Sequence, residues 1–279
     1  MSFLNPSVIA QAVPELSDVF YMKTVTSTNQ YLMGYLKQEP SASGYHLAIA
    51  EGQTAGRGQR GRVWHSPEGV NVYFSLGLNE CQFSPIVAGL VCAEVLEKYC
   101  QNAVQLKWPN DLFVNQRKLG GILVERQWAS KTACRSVLGV GINVAMSSLP
   151  ENSIHSLSSD NEWIDQPWTD LVSESGSEKV IDRTQVLIDV LQALLPAMMR
   201  YRQHGLNGFI EAWNARHLYH GQTIRFKADN QRLLVGKVMG IDHEGALLMQ
   251  RDGQRGGQRD GQIERCVSGS IVPELAGAP

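Results

Sequence analysis

The sequence predicts an α+β fold: a mixed β-sheet core with flanking helices, followed by a small all-β unit. Two observations support this. Short apolar strands and amphipathic helices alternate irregularly up to about residue 218, whereas residues 219–279 contain only short strands joined by turn residues. With 279 residues, 43% of them apolar, the chain is long enough for one large and one small domain. We therefore expect domains at residues 1–218 and 219–279.

Each element follows from its hydrophobic period and its end signals. Ser27 and Ser84 are suited to cap helices, and Asp182 opens a long helix that Pro196 should kink or end. Residues 71–78 alternate between apolar and other residues, so this strand is expected to be half-buried. The predicted helices are residues 27–38, 84–101, 182–205 and 206–219. The predicted strands are residues 18–25, 46–52, 71–78, 103–107, 111–115, 118–126 and 136–143 in the core, then 222–229, 232–242, 245–253 and 269–275.

Composition excludes several classes of protein. The net charge is −2, which gives no bulk attraction to nucleic acid. No run of 18 apolar residues and no signal peptide is evident, so we expect a cytoplasmic protein without a membrane segment. The five cysteines are scattered and are expected to be free thiols. Residues 147–177 are polar and loop-rich, and the Arg/Gly-rich residues 251–262 are expected to form a solvated hairpin.

The segment "GRGQRG", residues 56–61, matches the glycine spacing of dinucleotide-binding loops. That spacing needs a helix immediately after the loop, to place its N-terminus at the pyrophosphate. Here Pro67 and Gly69 follow, and then a strand. The dinucleotide interpretation is therefore disfavoured, which leaves a mobile surface hairpin or a loop with another function.

Three further segments combine glycine or turn residues with polar side chains. "KWPNDL", residues 107–112, is typical of a turn with a packed tryptophan. "RKLGGILVE", residues 117–125, carries two glycines inside a strand, which weaken it unless something must approach the backbone closely. Lys118, taken alone, is most simply a solvated lysine. "GVGIN", residues 139–143, is a second strand interrupted by glycine.

Taken together, "STN", "EGQTAGRGQRGRVW", "KWPND", "KLGGILVE" and "GVGIN" resemble the catalytic core of biotin protein ligases in order and spacing. The resemblance implies a class II synthetase-like core with an SH3-like C-terminal barrel. It also implies a two-step reaction, in which biotin and ATP form biotinyl-5′-AMP and a lysine of biotin carboxyl carrier protein then accepts the biotinyl group. Lipoate–protein ligase is the alternative, disfavoured because "GRGQRGRVW" and "KWPND" fit the biotin branch better. A second alternative is a nucleic-acid-binding module, which the net charge of −2 disfavours.

The resemblance assigns roles residue by residue. Lys118 and Arg57 are the expected catalytic cations, since a carboxylate and a phosphate must be brought together. Mg²⁺ is expected to arrive with ATP, without a preformed metal site. The residues expected to bind biotin are Ser27, Thr28, Asn29, Gln53, Arg57, Gly58, Gln59, Lys118, Gly120 and Gly121. The residues expected to bind the nucleotide are Arg60, Arg62, Trp64, Asn110, Asp111 and Asn143.

Two departures from the family pattern stand out. Gln59 replaces a basic residue found in many relatives, and the last strand lacks the arginine that some relatives have there, so no catalytic work is assigned to the barrel. Only 26 residues precede Ser27, whereas a winged-helix DNA-binding domain needs roughly 60. We therefore expect a ligase without DNA binding. A homodimer is possible.

Overall fold

The computed structural model describes residues 2–131, 133–150, 167–176, 180–251 and 261–272. It confirms the α+β class. A seven-stranded mixed sheet with helices on both faces forms the core, and a separate five-stranded antiparallel sheet lies at the C-terminus. The expected hairpin at 251–262 falls largely outside the described residues, as does the centre of the expected loop at 147–177; the described part of that loop contains a short helix, Leu171–Glu174.

The core sheet has the strand order β1-β2-β3-β7-β6-β5-β4. β1 and β2 run parallel, and all the other neighbours are antiparallel. The C-terminal sheet has the order β11-β10-β9-β8-β12. The core strands are β1 (Leu16–Val25), β2 (Tyr45–Gln53), β3 (Val72–Leu78), β4 (Gln105–Lys107), β5 (Asp111–Val114), β6 (Arg117–Trp128) and β7 (Cys134–Ile142). The C-terminal strands are β8 (Thr223–Ala228), β9 (Leu233–Ile241), β10 (Leu247–Arg251), β11 (Ile263–Cys266) and β12 (Gly269–Val272).

The helices begin where the sequence provides caps. Ser27 and Ser84 each accept a backbone N–H from the first turn of the helix they precede. None of the helices in the described ranges has the length and apolar character needed to cross a membrane. The helices are α1 (Pro6–Ala12), α2 (Thr28–Gln38), α3 (Pro85–Leu96), α4 (Leu171–Glu174), α5 (Arg183–His204) and α6 (Ile210–Arg216).

The expectation of a half-buried β3 is wrong, because all seven of its residues are buried. One face of the strand, with Phe74 and Leu76, lies in the main hydrophobic core with α3 and α5. The other face is covered by α2, whose Leu32 and Leu36 approach Gly77. Alternation in sequence reports two different faces, but it does not reveal that a helix covers the second one.

One expectation is narrowed and another needs correction. α5 continues through Pro196 to His204, so of the two expected outcomes, a kink or an end, the proline does not end the helix. The helix continues past the proline because its apolar side chains, Leu194 and Met198 among them, are buried in the main core. The structure also pairs Cys81 with Cys134, whose Cα atoms are 5.5 Å apart, so these two cysteines are not free thiols as expected.

The C-terminal sheet contacts the core through the turn after β4. Trp108 donates its indole N–H to the carbonyl of Gly245 at 3.0 Å, and its ring centroid lies 5.7 Å from that of Phe226 on β8. His217, after α6, packs against Trp213 with the two ring centroids 4.9 Å apart. Burial lowers the pKa of His217 to about 3. Its neutral imidazole is therefore part of the packed junction between the two sheets.

Candidate active site

A cavity of about 430 Å3 lies between the N-terminus of α2, the segment 56–65 and strands β5, β6 and β7. We call the segment 56–65 the glycine-arginine loop. The predicted site residues that line the cavity are Ser27, Thr28, Asn29, Gln53, Arg57, Gly58, Gln59, Arg60, Arg62, Trp64, Asn110, Asp111, Lys118, Gly121 and Asn143. Residues that are distant in sequence therefore meet in one place.

Gly120 is the exception among the predicted residues, since it does not line the cavity. A Cβ at Gly120 would meet Leu112 and the carbonyl of Gly141, whereas one at Gly121 would meet Trp64 and Asp111. Successive residues of a strand face opposite sides of a sheet, so only one of two adjacent glycines can face the site. Gly120 instead allows close packing within the sheet.

One end of the cavity is a buried network of hydroxyl and amide groups. Thr28 donates its backbone N–H to Oε1 of Gln53 at 2.9 Å. Ser75 Oγ lies 2.7 Å from Thr28 Oγ1 and 2.6 Å from Asn29 Oδ1. Asn29 donates its amide to Glu125 at 2.8 Å. A buried network satisfied in this way is rigid and offers fixed donors and acceptors to a ligand.

The walls next to this network are apolar and include Phe74, Ile122 and Val140. The glycines of β6 and β7 make room for the indole of Trp64. A Cβ at Gly141 would lie 2.4 Å from Trp64 Nε1, and one at Gly121 would lie 3.2 Å from the same ring. These glycines therefore allow the close approach of an aromatic side chain from the glycine-arginine loop.

The other end of the cavity is cationic. Four cations face one carboxylate, Asp111, among the lining residues, although the whole chain carries a net charge of −2. The four are Arg57, Arg60, Arg62 and Lys118. A concave surface of this kind attracts polyanions such as nucleoside triphosphates.

Lys118 occupies the centre of this cationic end. Its Nζ is 2.8 Å from Asp111 Oδ1 and 5.3 Å from the centroid of the Trp64 ring. Its backbone is fixed on both sides, since Lys118 N–H donates to the Pro167 carbonyl and Thr169 N–H donates to the Lys118 carbonyl. Burial lowers the pKa of the neighbouring Lys107, an effect that Asp111 opposes and Lys118 reinforces.

The glycine-arginine loop is held by contacts at three points. Arg57 forms a 3.8 Å ion pair with Glu125 on β6. Arg60 Nη2 lies 3.0 Å from Asp229 and donates to the carbonyl of Gly269 at 2.5 Å, both in the C-terminal sheet region. Trp64 packs over the β6 and β7 glycines. The loop thus bridges the two sheets.

Asn110 and Asn143 have structural partners within the site. The Asn110 amide donates to the Ile122 carbonyl at 2.6 Å, which fixes the turn between β4 and β5. The Asn143 amide donates to the Thr169 carbonyl at 3.0 Å. Both side chains are thereby oriented at the rim of the cavity.

Several lining residues were not predicted. Gly139 and Gly141 belong to the quoted motif "GVGIN", and their strand interruption was an available signal. Trp168 reaches the cavity by pairing with Lys118 across an isolated bridge, which no local pattern reveals. His65 was also missed; burial lowers its pKa, so its neutral form is favoured. In the described part of the chain, Trp64 Nε1 and His65 Nε2 are buried without a hydrogen-bond partner.

Comparisons with known proteins agree with this arrangement. Residues 21–143 match the Biotin/lipoate A/B protein ligase family. The chain is 34% identical over 241 residues to the bifunctional ligase/repressor BirA of Escherichia coli, covering 84% of this chain and 70% of that protein. It is 30% identical to the biotin–[acetyl-CoA-carboxylase] ligase of Paracoccus denitrificans, covering 77% of this chain and 88% of the relative.

The chain belongs to the biotin protein ligase family. A solved structure of the Aquifex aeolicus biotin protein ligase, in complex with biotin and ATP, superposes with a TM-score of 0.70 at 29% identity. That similarity covers 92% of this chain and 98% of the Aquifex chain, so both sheets have counterparts there. The family resemblance expected from the five motifs is therefore confirmed.

Proposed function

We propose that this chain is an ATP-dependent biotin–protein ligase. It activates biotin with ATP to biotinyl-5′-AMP and transfers the biotinyl group to a specific lysine of biotin carboxyl carrier protein. The observation that carries the proposal is a single cavity that combines a buried amide and hydroxyl network with a cluster of four cations. These two ends match a ligand with an apolar body, a polar ring and an anionic reacting end.

Biotin binding is assigned to the network end. The ureido ring would exchange hydrogen bonds with Ser27, Thr28 and Asn29, with Gln53 behind them. The apolar walls, with Gly121 and the Trp64 indole that packs on it, would receive the rest of the bicyclic ring. The carboxylate tail would then extend along the loop residues Gly58 and Gln59 toward the cations.

Adenylation is assigned to the cationic end. An oxygen of the biotin carboxylate attacks the α-phosphorus of ATP, the bond to the β-phosphate oxygen breaks, and pyrophosphate leaves. Lys118 lies on a rigid strand between the two reacting anions and stabilises the charge on the α-phosphoryl oxygens, with Arg57 as a second donor. Substrate phosphate would replace Asp111 as the partner of Lys118.

Nucleotide binding is assigned to side chains around the same end. Arg62 supplies charge, and Trp64 presents an aromatic face to the base. Asn110, Asp111 and Asn143 line the opposite rim. Arg60 lines the cavity beside them and also contacts the region of the C-terminal sheet.

Mg²⁺ is proposed to arrive with ATP. Among the described residues, no group of three histidine, cysteine, aspartate or glutamate side chains could hold a metal ion. Asp111 is the carboxylate that the cavity lining offers, which suits an ion held mainly by phosphate oxygens and water. The ion would supply screening of phosphate charge.

Transfer needs no nucleophile from this chain. The uncharged ε-amine of the acceptor lysine attacks the acyl carbon, the bond to the phosphate oxygen breaks, and AMP leaves. What the enzyme provides is orientation and exclusion of water from a reactive mixed anhydride.

A pyrophosphate-release assay with biotin, ATP and Mg²⁺ tests the first step. Release should depend on biotin and should stop when EDTA removes Mg²⁺. Lipoate in place of biotin is the control for the related activity, and turnover with lipoate alone would contradict the assignment. Mass spectrometry of a carrier protein should then show a biotinyl group on one lysine, absent from the Lys→Arg carrier.

Further parts of the proposal concern location and partners. We propose a cytoplasmic location, and we assign these 279 residues no DNA-binding role, given their net charge of −2. A gel shift with biotin-operon DNA at physiological salt tests the latter. A homodimer remains part of the proposal, and sedimentation with and without biotin and ATP would decide it.

A further inference from the structure

Arg60 connects the glycine-arginine loop to the C-terminal sheet. Its backbone has φ of 58° and ψ of 36°, a left-handed conformation that is uncommon for arginine and turns the side chain out of the loop. Its Nη2 lies 3.0 Å from Asp229 Oδ1 and 2.5 Å from the Gly269 oxygen. A residue that lines the active-site cavity is therefore held by a part of the chain more than 160 positions away.

The two acceptors both belong to the region of the C-terminal sheet. Asp229 follows β8 directly, and Gly269 begins β12, which pairs with β8. Gly269 has φ of 149°, and a Cβ there would lie 2.3 Å from the Phe226 ring and 2.6 Å from the Lys227 carbonyl. The carbonyl that receives Arg60 thus belongs to a position at which only glycine fits.

The same sheet is anchored to the turn between β4 and β5, which borders the cavity. Phe226 on β8 packs against Trp108, and Trp108 donates to the Gly245 carbonyl. Asn110 and Asp111, which follow Trp108 closely, line the cavity. The C-terminal sheet therefore makes an apolar contact with the turn between β4 and β5 and a polar contact with the glycine-arginine loop.

We propose that Asp229, together with the Gly269 carbonyl, is a positioning residue that keeps the glycine-arginine loop closed over the cavity by holding Arg60. The proposal rests on the ligase function proposed above. A loop with three glycines in six residues has little internal order, so an external anchor changes the fraction of time it spends open. In the open state, water enters and the acyl-adenylate escapes before transfer.

The test compares Asp229→Ala with wild type in two assays. The first is limited trypsin digestion of the ligand-free protein, where cleavage after Arg57, Arg60 or Arg62 should become about 2- to 5-fold faster, the range for one partly exposed ion pair. The second is release of biotinyl-AMP into solution when no acceptor is present, which should rise by a similar factor. The KM for ATP should increase while kcat for adenylation stays within about 2-fold.

Matched variants separate positioning from general destabilisation. Asp229→Glu should restore both readouts, and Asp229→Asn replaces Asp229→Ala if that variant does not fold. Glu244→Gln removes a comparable exposed carboxylate, one that pairs with Arg265 instead of the loop, and should leave both readouts at wild-type values. In the adenylate-release assay, the double variant of Arg60→Ala and Asp229→Ala should equal Arg60→Ala alone.

Wild-type rates of cleavage and release in Asp229→Ala would overturn the proposal, as would additive effects in the double variant. Failure of the ligase function has a different signature: wild type itself would make no biotinyl-AMP. The trypsin comparison would still decide whether Asp229 anchors the loop.

Discussion

Two glycine-rich regions form opposite sides of the cavity, and they are held in different ways. On β6 and β7, Gly121 and Gly141 lie in a continuous antiparallel ladder and are opposite each other in register. In the glycine-arginine loop, Gly56 and Gly58 make a few local backbone bonds, and the loop's position depends on side chains that reach other elements. The strands provide a rigid floor, whereas the loop is a wall whose closure depends on a few polar contacts.

This difference predicts that a substitution on the strands of the floor lowers the rate of adenylation more than a substitution in the loop. Lys118→Met removes the floor's cation while keeping an unbranched side chain of similar length. Adenylation should fall on the order of 10² to 10³-fold, because the charge is needed most in the transition state, while biotin affinity should change less. Pyrophosphate release and biotin titration measure the two effects. An unchanged rate of release would remove Lys118 from the mechanism.

Gly141→Ala tests the interface between floor and wall. The new methyl group would lie 2.4 Å from Trp64 Nε1, so the indole must leave its position over β7. Overpacking of this kind costs about 1–3 kcal/mol, and we expect the KM for ATP to rise on the order of 10-fold without global unfolding.

Gly208→Ala is the matched control, because a Cβ at Gly208 meets nothing within 4 Å. ATP titration of adenylation compares the two variants, and thermal melting monitors the fold. Equal KM values in Gly141→Ala and Gly208→Ala would show that Trp64 does not serve the nucleotide.

Protease sensitivity tests the wall directly. Ordering six residues costs on the order of 10 kcal/mol as an upper figure, so the loop should open often without substrates and close with them. Trypsin should cleave after Arg57, Arg60 or Arg62 in the free protein, and biotin with ATP should slow this cleavage several-fold. Biotin with a non-hydrolysable ATP analogue is the control, because it shows whether ligand binding protects the loop without the reaction. Equal rates with and without ligands would contradict a ligand-ordered loop.

Glu125→Gln should have the smallest effect. The amide oxygen introduced by this change could still accept from Asn29, but the charge that pairs with Arg57 at 3.8 Å would be lost. Partly exposed pairs contribute about 0–1 kcal/mol, so adenylation should change by less than about 5-fold. Steady-state kinetics at low and high salt measure this change. A larger loss than for Gly141→Ala would show that the ion pair holding the loop matters more than the packing of Trp64 on the strands.

Local signals in the sequence determined much of this protein. Ser27 and Ser84 start helices because a serine hydroxyl satisfies a free backbone N–H wherever the helix lies in the fold. The α+β class followed from hydrophobic periods, and the five motifs identified the family. Each of these depends on neighbours in sequence, so no knowledge of the packing was needed.

Tertiary structure decided what depends on distant neighbours. α2 buries the second face of β3, the pleat turns Gly121 toward the cavity and Gly120 away from it, and Trp168 reaches Lys118 through backbone pairing. The contact of Arg60 with Asp229 and Gly269 belongs to the same class. An arginine in a glycine-rich loop has many possible partners, and only the packing of the C-terminal sheet against Trp108 brings these two acceptors within hydrogen-bond distance.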